Sequence, residues 1–188
     1  TVIGNMTRTT VPKQVRQIRK EEEDMTESGA RVADATKQRA AVLAHMLRVL
    51  REKLGEEQAV ELMCEAIYAY GREKSRKGYS ISARTGDLAR AAQEFASPDP
   101  VKQYQFAPRI VSLDDAEAVI AMSRCPLVDQ WKEMELPAED VTLLCRIARS
   151  VDFGTWEGAL GFSLRFECTR GEGKDECILH VRRNSTGE

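Results

Sequence analysis

The chain has 188 residues, of which 42% are hydrophobic and 31% are charged, and its 28 basic and 30 acidic side chains give a formal net charge of −2. This length predicts a single domain with one substantial core, and the balanced charge argues against nucleic acid or an anionic membrane as a partner.

The first 30 residues predict little independent structure. They include the charged run Lys20-Glu21-Glu22-Glu23-Asp24 and few large apolar side chains, so they bury little surface alone. Residues 1–30 are expected to form a flexible or loosely packed segment, or a solvated helix. A single α+β domain is expected over residues 31–188.

Three helices are predicted next. Apolar residues recur every three or four positions between residues 32 and 54, and Gly55 follows as a stop. Glu56 and Glu57 suit the start of a second helix, which closes at Gly78. A shorter helix is expected over residues 87–96.

Two β-hairpins and two further helices follow. The first hairpin is predicted at about residues 103–122, with Tyr104 and Phe106 in its first strand. Helices are expected from 126 to about 135 and from 137 to about 151. Alternating apolar residues predict the second hairpin at about residues 160–182.

The turn of the second hairpin fixes its expected register. If the turn is centred between residues 172 and 173, Cys168 lies opposite Cys177 and Arg165 lies opposite His180. The predicted fold class is therefore α+β, with N-terminal helices and an antiparallel sheet built from the two hairpins.

Cysteine and histidine usage limits the chemistry. The chain has five cysteines without a CxxC pair and two histidines, which argues against structural zinc and a disulfide framework. Apolar runs are too short to span a bilayer, and residues 1–20 lack a signal-peptide core. We expect a cytoplasmic protein without a metal; its oligomeric state, a homo-oligomer included, stays open.

Cys125 is the first candidate catalytic residue. It precedes Pro126, a residue favoured at the first position of a helix, so its thiol is placed at or beside the helix N-cap. The helix dipole and the neighbouring Arg124 would lower the pKa of this thiol and favour a nucleophilic thiolate. A buried thiol that only packs is an equally common interpretation. Asp129, one turn later, would orient water or accept a proton, or merely complement the helix dipole.

Spaced motifs resemble the L-2-amino-thiazoline-4-carboxylic acid hydrolase family over roughly residues 35–183. They are Arg124-Cys125-Pro126-Leu127, Trp131, Cys145 and Gly173-Lys174-Asp175-Glu176-Cys177. The run Tyr68-Ala69-Tyr70-Gly71-Arg72 also resembles a helix of the related vinyl-reductase-like ligand-binding domains.

The resemblance implies hydrolysis of a small heterocycle at a carbon–nitrogen or carbon–sulfur bond, without an organic cofactor. Arg72, with Tyr70 beside it, and Arg124 are candidates to bind a substrate carboxylate, and Trp131 is a candidate wall of the pocket. The chain departs from the expected pattern after Cys145, where the next acidic residue is Asp152.

Two other functions fit the same residues. The first is a small-molecule-binding module without chemistry, in which the cysteines only pack. The second is a thiol redox protein, which is weaker because no resolving cysteine lies near Cys125 in sequence.

Overall fold

The computed structural model describes residues 13–184 and begins with one long helix. Helix α1 spans Lys13–Leu54 and is continuous through residues 13–30, most of whose described side chains are exposed. The predicted helix start at residue 32 is therefore wrong, and residues 1–12 of the predicted N-terminal segment lie outside the described part. Among the α1 residues whose burial is described, Gly29 is the first buried one, and it faces the Tyr104 ring.

Helices α2 and α4 match the two predicted helices, and the short helix α3 between them was not predicted. Gly55, at φ +82°, separates α1 from α2, which spans Glu56–Gly78. Helices α3 (Ile81–Arg84) and α4 (Leu88–Phe95) begin after Ser80 and Asp87, whose side chains accept hydrogen bonds from backbone N–H groups of the first turn.

The predicted start of the first hairpin is wrong, because residues 100–106 form helix α5, Pro100–Phe106. Asp99 caps this helix through the Lys102 N–H, and Pro100 occupies its first turn. Tyr104 and Phe106 therefore belong to a helix, and the local cap overrides their strand preference.

Four antiparallel strands form one sheet in the order β1-β2-β4-β3. The strands are β1 (Pro108–Leu113), β2 (Glu117–Met122), β3 (Phe162–Cys168) and β4 (Cys177–Arg183). Both predicted hairpins are present, so the predicted α+β class is confirmed.

The register of the second hairpin is confirmed in one place and wrong in another. Arg165 pairs with His180, as predicted, whereas Cys168 pairs with Ile178 after an irregularity and Cys177 pairs with Met122 of β2. The pairing shifts by one residue between Phe166 and Cys168, as at a β-bulge, and a short 3₁₀ turn over residues 170–172 follows. Thr169 and Glu172 stabilise that turn through reciprocal side-chain and backbone hydrogen bonds.

Two helices lie between the hairpins, as predicted, and a helical extension follows them. They are α6 (Pro126–Glu133) and α7 (Ala138–Ala148); α8 (Ser150–Phe153) then continues into a π-helical segment, Gly154–Ala159. One apolar cluster packs α4 and the π-helical segment on the sheet, and a second joins α1, α2, α6 and α7. The site described next contains residues from both clusters.

Candidate active site

A cavity of about 190 Å³ lies between the sheet and helices α6 to α8. Most of its wall is apolar or aromatic, with contributions from Phe95, Phe106, Met122, Trp131 and Phe166. Its polar wall consists of three thiols, one carboxyl group and four basic side chains, together with Thr169. These are Cys125, Cys145, Cys177, Asp152, Lys74, Lys102, Arg124 and Arg149.

Cys125 occupies the N-cap position of α6, as the sequence predicts, and its side chain lines the cavity. Burial nevertheless raises the pKa of this thiol to about 12, outweighing the opposite effect of the backbone N–H groups of Val128 and Leu127. The predicted lowering of the Cys125 pKa is therefore wrong, because the apolar wall disfavours the thiolate more than the helix start stabilises it. At neutral pH the resting thiol is protonated.

The other two cavity thiols have the same character. Burial raises the pKa of Cys177 to about 11, and it also raises the pKa of Cys145. Cys145 packs directly against Gly171, where a Cβ atom would lie 2.2 Å from the cysteine Cβ. Cys177 accepts a hydrogen bond at Sγ from the Arg170 N–H, at 3.3 Å.

Asp152 is the acidic residue of the cavity, and sequence reasoning did not select it as a site residue. Desolvation raises its pKa to about 7, with a smaller opposite effect from Lys74. No side chain among residues 13–184 donates a hydrogen bond to its carboxyl group. A carboxyl group that titrates near neutral pH inside a cavity is suited to proton transfer.

The spacing along α7 and α8 explains how Asp152 reaches the cavity. Cys145, Arg149 and Asp152 are separated by four and three residues, so they lie on one face of consecutive helical turns. This spacing was visible in the sequence. The apolar residues of α7 predict a helix face that packs in the core, so the spacing alone does not select Asp152 as a site residue.

The basic side chains that line the cavity differ in their hydrogen-bond partners. Lys102 donates to the Glu94 carbonyl at 2.9 Å and lies over the Phe95 ring, and burial lowers its pKa. Arg124 donates to the Tyr104 carbonyl at 3.2 Å and lies over that ring. The guanidinium group of Arg149 lies over the Phe166 ring, 5.5 Å from its centre, and has no hydrogen-bond or ion-pair partner within the described chain. Its guanidinium group is therefore free to bind an anion.

Three of the predicted site residues do not line the cavity. Asp129 lies 3.5 Å from the guanidinium group of Arg170. The exposed Arg72 places its side chain beside Gly158, and Tyr70 is 49% exposed. The structure thus brings together Arg124, Cys125 and Trp131, but not the other three.

Trp131 combines a cavity wall with a structural role. It is fully buried, and its indole Nε1 donates to the Ala40 carbonyl of α1 at 2.8 Å. We expect Trp131→Phe to lower the free energy of unfolding by about 2 kcal/mol, because the indole hydrogen bond and part of the packing are lost. Denaturant unfolding checks this value; an unchanged midpoint would contradict it.

Within residues 13–184, no group of three or more histidine, cysteine or acidic residues is arranged to hold a metal ion. None of the helices in that range is long and apolar enough to cross a membrane.

A comparison with family models matches residues 35–181 to L-2-amino-thiazoline-4-carboxylic acid hydrolase. The chain belongs to this family. No curated protein matches it. Among solved structures, one similar chain is the phenol-responsive sensory domain of the transcription activator PoxR with phenol. It is 14% identical, with 81% of this chain and 76% of that chain covered, at a TM-score of 0.49.

Within this hydrolase family, the residues after Cys145 were expected to include an acid. The structure provides Asp152 in that region, seven residues after Cys145 and inside the same cavity. The later position still places the carboxyl group on the cavity face, because seven residues complete nearly two helical turns.

Proposed function

We propose that the cavity hydrolyses a small heterocycle that carries a carboxylate, at a carbon–nitrogen or carbon–sulfur bond, with Asp152 as the general base. The observation that carries this proposal is that one cavity is lined both by a carboxyl group with a pKa of about 7 and by an arginine whose guanidinium group has no partner in the described chain. Membership of the hydrolase family supports the reaction type.

The size of the cavity favours a small substrate. Its volume, about 190 Å³, lies below the roughly 300–1,000 Å³ of sites that take drug-sized ligands. Its aromatic walls suit the faces of a five-membered ring. The wall therefore matches a substrate with one apolar ring and one anionic group.

The proposed reaction needs only water as a co-reactant. The Asp152 carboxylate removes a proton from water as the water oxygen attacks the amidine carbon, giving a tetrahedral intermediate. The carbon–sulfur or carbon–nitrogen bond then breaks, and the proton passes from Asp152 to the leaving atom. Electrons and protons balance without a redox partner or an organic cofactor.

The substrate carboxylate is assigned to Arg149, with Arg124 nearby in the wall. We expect Arg149→Gln to raise KM by about tenfold or more with a smaller change in kcat, because it removes a bidentate contact made in both ground and transition states. Arg146→Gln is the matched control, since Arg146 is exposed on α7, three residues before Arg149, and lies outside the cavity lining. Equal KM values for both variants would show that the substrate carboxylate does not bind to Arg149.

A covalent route through Cys125 is the competing form of this mechanism. It is disfavoured by the raised pKa of the thiol, which leaves almost no thiolate at neutral pH. Cys125→Ala should therefore keep kcat within about tenfold of the wild type, and Cys125 should react slowly with iodoacetamide at pH 7. An inactive but folded Cys125→Ala variant, together with a covalent adduct in the wild type, would establish the covalent route instead.

A non-catalytic binding module is the second candidate function, and the protonated thiols with a mainly apolar wall favour it. The two functions are separated by incubating the protein with cyclic amidines and small lactams, with and without a carboxylate. Mass spectrometry then detects any product whose mass exceeds that of the added compound by one water molecule. Hydrolysis of carboxylate-bearing members supports the enzyme; a rise in Tm without any turnover across the panel supports the binding module.

A further inference from the structure

Helix α1 carries an exposed stripe that the monomer leaves uncovered. Its positions alternate by three and four residues from Met25 to Lys53, which is the spacing of a coiled-coil seam. Val42 is 57% exposed and Met46 is 46% exposed. We call the following exposed residues the seam: Met25, Ser28, Val32, Ala35, Arg39, Val42, Met46, Val49 and Lys53.

The seam cannot turn inward, because the opposite flank of α1 is fixed in the core. Ala33, Ala40 and Leu47 are buried, and the Ala40 carbonyl accepts the Trp131 indole hydrogen bond. The seam and this buried flank point about 120° apart around the helix. A partner on the seam would therefore add to the existing core contacts and not replace them.

We propose that the seam pairs with the seam of a second copy of this chain, as an antiparallel two-helix contact about a two-fold axis. A parallel pair would place Arg39 against its own copy, which is unfavourable for two like charges. In the antiparallel pair each seam residue meets a different one, and Arg39 lies beside Val42 of the other copy. The contact is isologous and closes as a dimer.

Charge complementarity selects one register. When Val32 faces Val49 and Ala35 faces Met46 of the other copy, the flanking residue Arg31 faces Glu52. This ion pair occurs twice by symmetry. Shifting by one heptad in one direction instead places Asp24 against Glu52, and shifting in the other direction removes the pair. The chosen register keeps residues 28–53 in contact over about 38 Å.

Both members of the pair are available. Arg31 is exposed and already pairs with Glu27 through one amino group, which leaves other donors of its guanidinium group. Glu52 is exposed and has no ion-pair partner among residues 13–184. Arg39 donates to the Thr36 hydroxyl at 2.8 Å, so its stem lies along the helix and leaves the apolar layers accessible.

Sedimentation velocity over a concentration series tests the dimer and its register. The wild type is expected to be a dimer, and Val42→Ser/Met46→Ser should raise the dissociation constant by at least about tenfold. Ile81→Ser is the matched apolar control, because Ile81 is 72% exposed outside α1, and it should leave the dimer unchanged.

Charge reversal at Arg31 and Glu52 tests the register of the dimer most directly. Arg31→Glu or Glu52→Arg alone should weaken the dimer by about tenfold, and the double variant Arg31→Glu/Glu52→Arg should restore it to within about threefold of the wild type. Lys174→Glu, an exposed reversal away from α1, should have no effect. A wild type that is monomeric at about 100 μM, a dimer insensitive to the seam changes, or a double variant without rescue would each overturn the proposal.

Discussion

Asp152→Asn is expected to lower kcat/KM by at least about 100-fold, because the amide cannot accept the proton of the attacking water. The same change should leave the cavity shape intact, since asparagine has nearly the size of aspartate. Ligand binding, measured by the rise in Tm with the substrate carboxylate, should therefore survive. Wild-type turnover by the Asp152→Asn variant would show that Asp152 is not the general base.

The same variant should be more stable than the wild type at high pH. Burial raises the Asp152 pKa from 3.8 to about 7, so between these values the folded protein holds a proton that the unfolded chain has released. Stability is consequently lost as pH rises from about 4 to 7, and the loss is complete above about 7. Allowing for water in the cavity, we expect Asp152→Asn to gain on the order of 2 kcal/mol at pH 8 and almost nothing at pH 4. Denaturant unfolding at the two pH values measures this difference.

Gly71→Ala is expected to be the most destabilising of these changes and to lower the free energy of unfolding by about 3 kcal/mol or more. Helix α2 crosses α8 so closely that a Cβ atom on Gly71 would lie 2.2 Å from the Val151 carbonyl oxygen, and one on Gly154 would lie 2.1 Å from the Tyr68 carbonyl oxygen. Backbone atoms cannot move aside as a flexible side chain does, so the helices must separate. Since Val151 precedes Asp152, the separation should also lower activity.

Gly78→Ala is the matched control for this crossing. Gly78 ends α2, and a Cβ atom there would have nothing within 4 Å. The substitution should change the free energy of unfolding by no more than about 1 kcal/mol, in the stabilising direction. Equal midpoints for Gly71→Ala and Gly78→Ala would show that the close crossing does not limit stability.

The elements that the sequence predicted well are those in which local signals and burial agree. Helix α2 has Gly55 before it and acids in its first turn, and the alternation of β3 and β4 matches the buried face of the sheet. Helix α5 was missed because the cap at Asp99 and Pro100 outweighs the aromatic residues that follow. The register at Cys168 was not predicted because an irregularity between Phe166 and Cys168 shifts the pairing by one residue, which the alternation of apolar residues does not indicate.

The candidate site was only partly predictable for a related reason. The position of Cys125 follows from the local proline signal, but its pKa depends on apolar side chains from distant elements, such as Phe106 and Phe166. Arg72 and Asp129 were selected from local neighbours, and the packing of α2 and α6 directs them away from the cavity. Asp152 and Arg149 required knowledge of which face of α7 and α8 meets the sheet.

The pH dependence of kcat/KM for the wild type and Asp152→Asn tests the proton-transfer role most directly. The substrate should be a small heterocyclic carboxylate that does not itself titrate between pH 5.5 and 8.5. The wild-type value should rise with pH, with a midpoint of about 7, and level off above it, because only the ionised Asp152 accepts a proton. The residual activity of Asp152→Asn should be flat. A wild-type profile that is flat over this range, or one that the variant reproduces, would contradict the account.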